Sequence, residues 1–256
     1  IENKDLQYAI MDRPQRDWTP REILDYAFAR EAYAEPGERY RYSNTNAVLL
    51  GLVVEKVTGK SWQQAIAERV CKPLQLAHTG VPAAGGTLPD PHPSAYRNGY
   101  ADKVIGYGDT FYDVSNYSAS WTGPAGDMYS TLDDLGRAIR PLATGELLED
   151  QRRKVLHSWI KTGYMDVEYG FCIGKRDGGI GHTGDVPSFN ASAFYLPELQ
   201  RTVIVLTNLA APATPYGGQS SQVQVSLPRA ASGQTSSTTP PRTARNWSWS
   251  TVVKSL

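Results

Sequence analysis

Histidine, cysteine and long apolar runs are all scarce in this chain, and each shortage excludes a class of function. The four histidines, His78, His92, His157 and His182, form no H-E-x-x-H or comparable ligand spacing, which argues against a metalloenzyme. The two cysteines are Cys71 in "ERVCKPL" and Cys172 in "YGFCIG"; their apolar contexts predict buried thiols rather than a disulfide or a catalytic nucleophile. The longest apolar run is "AVLLGLVV" at 47–54. It falls far short of the ~20 residues a membrane helix needs, so no transmembrane segment is expected. No G-x-S-x-G elbow is present, no glycine-rich phosphate loop follows a strand, and no cofactor is implied. Formal charge is zero over 256 residues, which argues against a nucleic-acid partner.

That neutrality hides an uneven distribution. Residues 210–256 hold no Asp or Glu and four bases, Arg229, Arg242, Arg245 and Lys254, leaving all 26 acidic side chains in residues 1–209. The stretch "SSQVQVSLPRAASGQTSSTTPPRTARNWSWS" is rich in Ser, Thr and Pro and has no period. It offers too little apolar area to offset its ordering entropy. The expected organisation is therefore one domain over 1–209 and a low-complexity, disordered tail over 210–256.

What is present reads as helices first and strands afterwards. Thr19-Pro20-Arg21-Glu22 combines a cap, a first-turn proline and the reciprocal glutamate, predicting a helix to about Glu31. Asn44 or Thr45 is placed to cap the next helix, whose apolar positions Val48, Leu49, Leu52, Val53 and Val57 recur at helical spacing until Gly59. Ser61 with Gln64 caps a third helix. Ser130 or Thr131 starts another, closed by Pro141, and a fifth is predicted from Glu149 to about Lys161. Residues 80–120, dominated by Gly, Pro, Asp, Tyr and Asn, read as a long surface excursion. Short β-rich runs follow at 169–175, 179–184, 189–196 and 202–208, the last two forming a hairpin across "PELQ". The fold class is thus α/β in the α+β sense, with helices packed on an antiparallel sheet.

Two short motifs carry chemistry. Tyr42 and Asn44 stand two residues apart between the turn "EPGE" and a strong helix, where extended backbone points both side chains the same way. A second Y-x-N, Tyr96 to Asn98, lies in the excursion and reads as a surface aromatic. Gly181-His182-Thr183-Gly184-Asp185 lies on a strand before the hairpin; its glycines permit close approach of a ligand, and its Thr and His are suited to holding a carboxylate. A solvated strand end fits those residues too. The S-x-x-K at Ser158–Lys161 and the K-T-G at Lys161–Gly163 share one lysine at a predicted helix end and read as coincidental.

The blocks "PGERYRYSNTNAVLLGLVVEKVTGKSWQQAIAERVCKPLQL", "WTGPAGDMYSTLDDLGRAI" and "GHTGDVPSFNASAFYLPELQRTVIVLTN" together resemble the β-lactamase-related, penicillin-recognising serine hydrolases. These include class C β-lactamases, D-alanyl-D-alanine carboxypeptidases and related esterases. The resemblance covers roughly residues 15–209. It implies a β-lactamase/transpeptidase-like fold, an antiparallel sheet with a helical subdomain, incomplete at the N-terminus, and a domain lacking the S-x-x-K nucleophile element. It further implies an acyl-enzyme reaction on a β-lactam, D-amino-acid peptide or ester, with small molecules or peptides as partners. By the same resemblance Tyr42, Asn44 and His182 are the catalytic candidates. Thr183, Gly184, Asp185 (through its backbone N–H) and Trp121 are the substrate-binding candidates. The family is mostly exported, although no signal peptide is visible. A non-catalytic, penicillin-binding-like ligand module is the alternative reading.

Overall fold

Helix starts follow the capping chemistry closely. In a computed structural model of the chain, which describes residues 3–98, 111–164, 166–210 and 252–255, α1 (Lys4–Asp12) begins at Asn3, whose side chain accepts the Leu6 N–H. Helix α2 (Pro20–Phe28) carries the full reciprocal bond between Thr19 and Glu22. Helix α3 (Asn44–Thr58) has Ser43 at its N-cap, with no capping hydrogen bond from that side chain, and ends at Gly59 in the left-handed region (φ 66°). The expected cap at Asn44 or Thr45 is therefore displaced, and Asn44 is already the first helical residue. Helix α4 (Trp62–Ile66) repeats the reciprocal cap with Ser61 and Gln64 and runs into a π-helical turn at Ala67–Cys71.

Two helices end differently from expectation. Helix α5 (Leu132–Thr144) starts at Thr131 but continues through Pro141 to Gly145. A proline this close to a C-terminus removes one backbone bond while its own carbonyl still accepts the Gly145 N–H. Helix α6 (Asp150–Leu156) stops well before Lys161. His157 breaks it by a tertiary contact: its Nε2 lies 2.8 Å from the Ala143 carbonyl, and its ring stacks on Trp159 at 5.4 Å.

Within the region expected to be a surface excursion, β1 (Tyr96–Asn98) and β2 (Phe111–Asp113) pair antiparallel. Residues 99–110 lie outside the described residues. Ala95 and Tyr117 are buried, so the segment is anchored in the core at these points while most of its described residues stay partly or fully exposed. Tyr117 and Trp121 join Leu6, Ile10, Trp18, Ile23, Leu24 and Val48 in the cluster that binds α1, α2 and α3 together.

The remaining strands are β3 (Ile160–Lys161), β4 (Glu168–Tyr169), β5 (Gly174–Arg176), β6 (Gly179–Asp185), β7 (Asn190–Leu196), β8 (Arg201–Thr207), β9 (Leu209–Ala210) and β10 (Val252–Ser255). Strand β9 pairs parallel with β1. The others form one antiparallel sheet in the order β10-β8-β7-β6-β5-β4-β3. The expected hairpin across Pro197–Gln200 joins β7 to β8, with Leu196 opposite Arg201. Of the expected tail, residues 211–251 and 256 lie outside the described residues, whereas Val252–Ser255 pair with β8. Helix α5 covers one sheet face, Ala143 meeting Ile173 and Tyr195. Phe194 and Leu196 pack with Val203 on the other, and Ile204 is fully enclosed.

The cysteines divide. Cys71 is buried as expected, but Cys172 is exposed. It sits at φ 59° in the tight turn between β4 and β5, on the side of that turn near Tyr42 and Tyr169.

Candidate active site

The site forms where the entrance of α3 meets the end of β6. Ser43 is extended (φ −149°, ψ 123°), so Tyr42 and Asn44 leave the backbone on the same side. The Tyr42 ring reaches β6, its centroid 6.0 Å from that of His182 with the planes tilted by 36°. The structure thus brings Tyr42 and His182 together and sets Asn44 beside them in the chain. Thr183 and Gly184 continue the strand, and Asp185 ends it opposite Asn190.

A third ring completes the group. Tyr169, the last residue of β4, lies edge-on to both, at 5.7 Å from Tyr42 and 5.7 Å from His182. Its hydroxyl is 2.8 Å from Nε2 of His182, and it shares a side-chain hydrogen bond with Tyr42. Tyr40 packs against the far side of Tyr169 at 5.7 Å. Sequence reasoning missed Tyr169, which looked like an ordinary strand aromatic in "EYGF"; only strand pairing carries it to His182.

Strand lengths shape the cleft. Strand β7 pairs with β6 up to Asp185, but the β5 ladder ends with Gly174 opposite Gly181. On the β5 side, His182, Thr183 and Gly184 therefore carry no strand among the described residues. The two glycines of the motif separate here. A Cβ on Gly181 would lie 2.0 Å from the Ala193 carbonyl oxygen, so sheet packing alone demands glycine. A Cβ on Gly184 would meet only the Ala191 side chain at 3.7 Å, an ordinary contact, leaving ligand approach as a reason for its smallness.

Electrostatics keep the cluster neutral. Partial burial pushes the half-exposed Tyr42 phenol above its ordinary value near 10, and an ionised Cys172 nearby would push it further. Burial, more than its phenolic neighbours, also raises Tyr169. Desolvation lowers His182 below 6.5, against the opposing bond to the Thr183 carbonyl. At neutral pH the group is two phenols and a neutral imidazole.

The other candidates lie elsewhere. Trp121 is buried in the cluster that joins α1, α2 and α3. Ser158 donates its hydroxyl to the Val155 carbonyl at 2.7 Å. Lys161 lies exposed in β3 opposite Glu168, on a strand rather than the predicted helix end. Among the described residues no cluster of His, Cys, Asp and Glu is arranged to hold a metal, and no helix is long and apolar enough to cross a membrane.

An antiparallel sheet flanked by helices, with Tyr-x-Asn at a helix entrance against an HTG strand, defines a β-lactamase/transpeptidase-like serine hydrolase fold. The Beta-lactamase family model matches residues 4–224, and the chain belongs to that family. Among solved structures it is similar to a D-stereospecific amidohydrolase from Streptomyces sp., at 29% identity and TM-score 0.72 over 81% of this chain and 63% of that one. A penicillin binding protein from Bacillus halodurans shares the fold at 23% identity and TM-score 0.64, covering 80% of this chain and 62% of that one. Among curated relatives, Protein flp of Staphylococcus aureus (strain MW2) is 28% identical over 189 residues, 70% of this chain. The chain spans 35% of that relative's length.

Proposed function

We propose that this chain supplies the base and the substrate strand of a serine-hydrolase site that works through an acyl-enzyme. Tyr42 takes the proton of an attacking serine hydroxyl, and the Asn44 amide donates to the substrate carbonyl and holds it in place. The open side of His182–Gly184 receives an extended substrate by strand addition. The N–H of Asp185 is one donor to the developing oxyanion, with the nucleophile's own N–H as the other. Suitable substrates are a β-lactam, a D-amino-acid peptide or amide, or a short ester; the amide class is supported by the likeness to a D-stereospecific amidohydrolase. The observation that carries this reading is the contact of Tyr42 with His182 where the β5 ladder ends.

The serine is not supplied by the S-x-x-K of this chain, since Ser158 is bonded into the end of α6. One observation favours the second reading, a ligand-holding module without turnover: the hydroxyl of Ser158 is engaged by the Val155 carbonyl and not by the Tyr42–His182 group. Incubation of the polypeptide that carries the attacking serine together with this chain, with a fluorescent penicillin and with a fluorophosphonate, separates the two. A band that survives denaturing electrophoresis supports acyl transfer; saturable binding without a covalent band supports the module. If neither probe nor a D-amino-acid amide binds, both readings fail.

A further inference from the structure

The His182 imidazole is held at both nitrogens, and its partners dictate the direction of every proton. Nδ1 lies 2.5 Å from the Thr183 carbonyl oxygen. A carbonyl only accepts, so Nδ1 carries the hydrogen. In a neutral imidazole Nε2 is then the lone-pair nitrogen, and the Tyr169 hydroxyl at 2.8 Å must donate to it. With its single proton committed, Tyr169 has only oxygen lone pairs left to offer, so in the bond between the phenols Tyr42 is the donor. The lone pairs of Tyr42 are left to the open cleft.

We propose that Tyr169 is a positioning and proton-relay residue of this site, linking the Tyr42 hydroxyl to Nε2 of His182 and locking His182 in its Nδ1–H tautomer. The relay part rests on Tyr42 acting as the base, as proposed above; the tautomer lock does not. The step balances. As a serine oxygen bonds to the acyl carbon, the carbonyl π pair moves onto its oxygen and the serine proton passes to Tyr42. The Tyr42 proton passes to Tyr169, and the Tyr169 proton passes to Nε2, leaving an imidazolium whose Nδ1–H stays on Thr183. When the carbon–nitrogen or carbon–oxygen bond breaks, the same chain runs backwards and protonates the leaving amine or alcohol. Tyr42 never has to stand as a free phenolate; the charge rests instead on His182, whose bond to the Thr183 carbonyl opposes part of its desolvation. The titratable groups facing Tyr169 are Tyr40, Tyr42, Cys172 and His182, with the Lys175–Glu168 ion pair (2.8 Å) on the adjoining strands.

Two measurements test the proposal, the first on the full chain. In protein labelled with nitrogen-15 histidine, above the His182 titration, two-bond proton–nitrogen spectra expect a single Nδ1–H tautomer in the wild type. Tyr169→Phe is expected to mix the tautomers, whereas Tyr42→Phe preserves the lock. A wild-type Nε2–H form overturns the proposal without any variant having to fold, and so does an unchanged His182 signal in Tyr169→Phe. The second measurement, made on the polypeptide that carries the attacking serine together with these residues, is the rate of covalent labelling by a fluorophosphonate against pH. Tyr169→Phe is expected to slow it by about 100-fold and to move its pH dependence; an equal rate and profile overturn the relay. Failure of the wild type to label defeats the hydrolase reading and the relay with it, while the nitrogen-15 result still decides the positioning role.

Discussion

Asp127 offers the sharpest test of the electrostatics. The tight turn Gly123–Ala125 lies against α3, so closely that a Cβ on Gly51 would fall 2.3 Å from Cγ of Pro124. This contact carries the following Asp127 into the interior, where it is 8% exposed. Desolvation first, and the neighbouring Asp17 carboxylate second, push its carboxyl from 3.8 up to about 7. Asp17 is itself tied down, accepting the Gly85 N–H and the Ser118 hydroxyl. A raised folded-state value means that Asp127 favours the fold fully below its unfolded value. That contribution is lost as pH rises through about 7. Each unit corresponds to ~1.4 kcal/mol, and because the group is half ionised at its folded value, the loss between about pH 5 and about pH 7 is ~2 kcal/mol, a large share of a typical domain's stability. His182, shifted downward, titrates with the opposite sign, but it is common to wild type and variant. Denaturant unfolding of the wild type and of Asp127→Asn across that window isolates Asp127. The variant is expected to gain ~2 kcal/mol on the wild type toward the alkaline end; parallel curves would refute the burial argument.

Four further outcomes follow from single contacts. Gly181→Ala forces a Cβ against the β7 backbone and is expected to lower thermal stability by at least ~2 kcal/mol; a calorimetric scan matching the wild type sinks that packing claim. Ile204→Ala opens a cavity at a fully enclosed position and should cost ~2–5 kcal/mol in urea unfolding. Thr19→Ala removes the reciprocal cap of α2 and should cost ~1 kcal/mol, with Thr19→Ser recovering most of it. Maleimide should label Cys172 in the native protein and Cys71 only after denaturation, as read by peptide mass; rapid native labelling of Cys71 contradicts its burial.

Local chemistry was legible wherever it acted within one turn or one strand. The Thr19–Glu22 and Ser61–Gln64 caps, the Gly59 stop and the β7–β8 hairpin all arise from residues within a few positions of one another. The approach of Tyr42 to His182 was legible only through the family resemblance, since neither motif alone specifies its distant partner. What escaped were features set by distant partners. Helix α6 is cut short because His157 finds the Ala143 carbonyl. Trp121 is drawn inward by Trp18, Leu24 and Val48. Cys172 is exposed because it falls in the turn between β4 and β5 rather than within a strand, which no hydrophobicity pattern reveals. Tyr169 belongs to the site because β5 and β6 fold back on β4, placing a phenol beside an imidazole thirteen residues on. Helix α1 lacked a strong pattern and is held instead by Leu6 and Ile10 in the shared core.

The early stop of β5 has a consequence for selectivity. An extended ligand lying beside His182–Gly184 would take the place of the missing rungs and become, for the lifetime of the complex, a guest strand of the sheet. Its alignment along the cleft would then be inherited from a framework already anchored by β7, while Tyr42 stands over a single rung. A polypeptide or amide able to present backbone donors and acceptors in that row is therefore read one residue at a time, and a compact molecule with no such row must rely on the phenol and the amide alone.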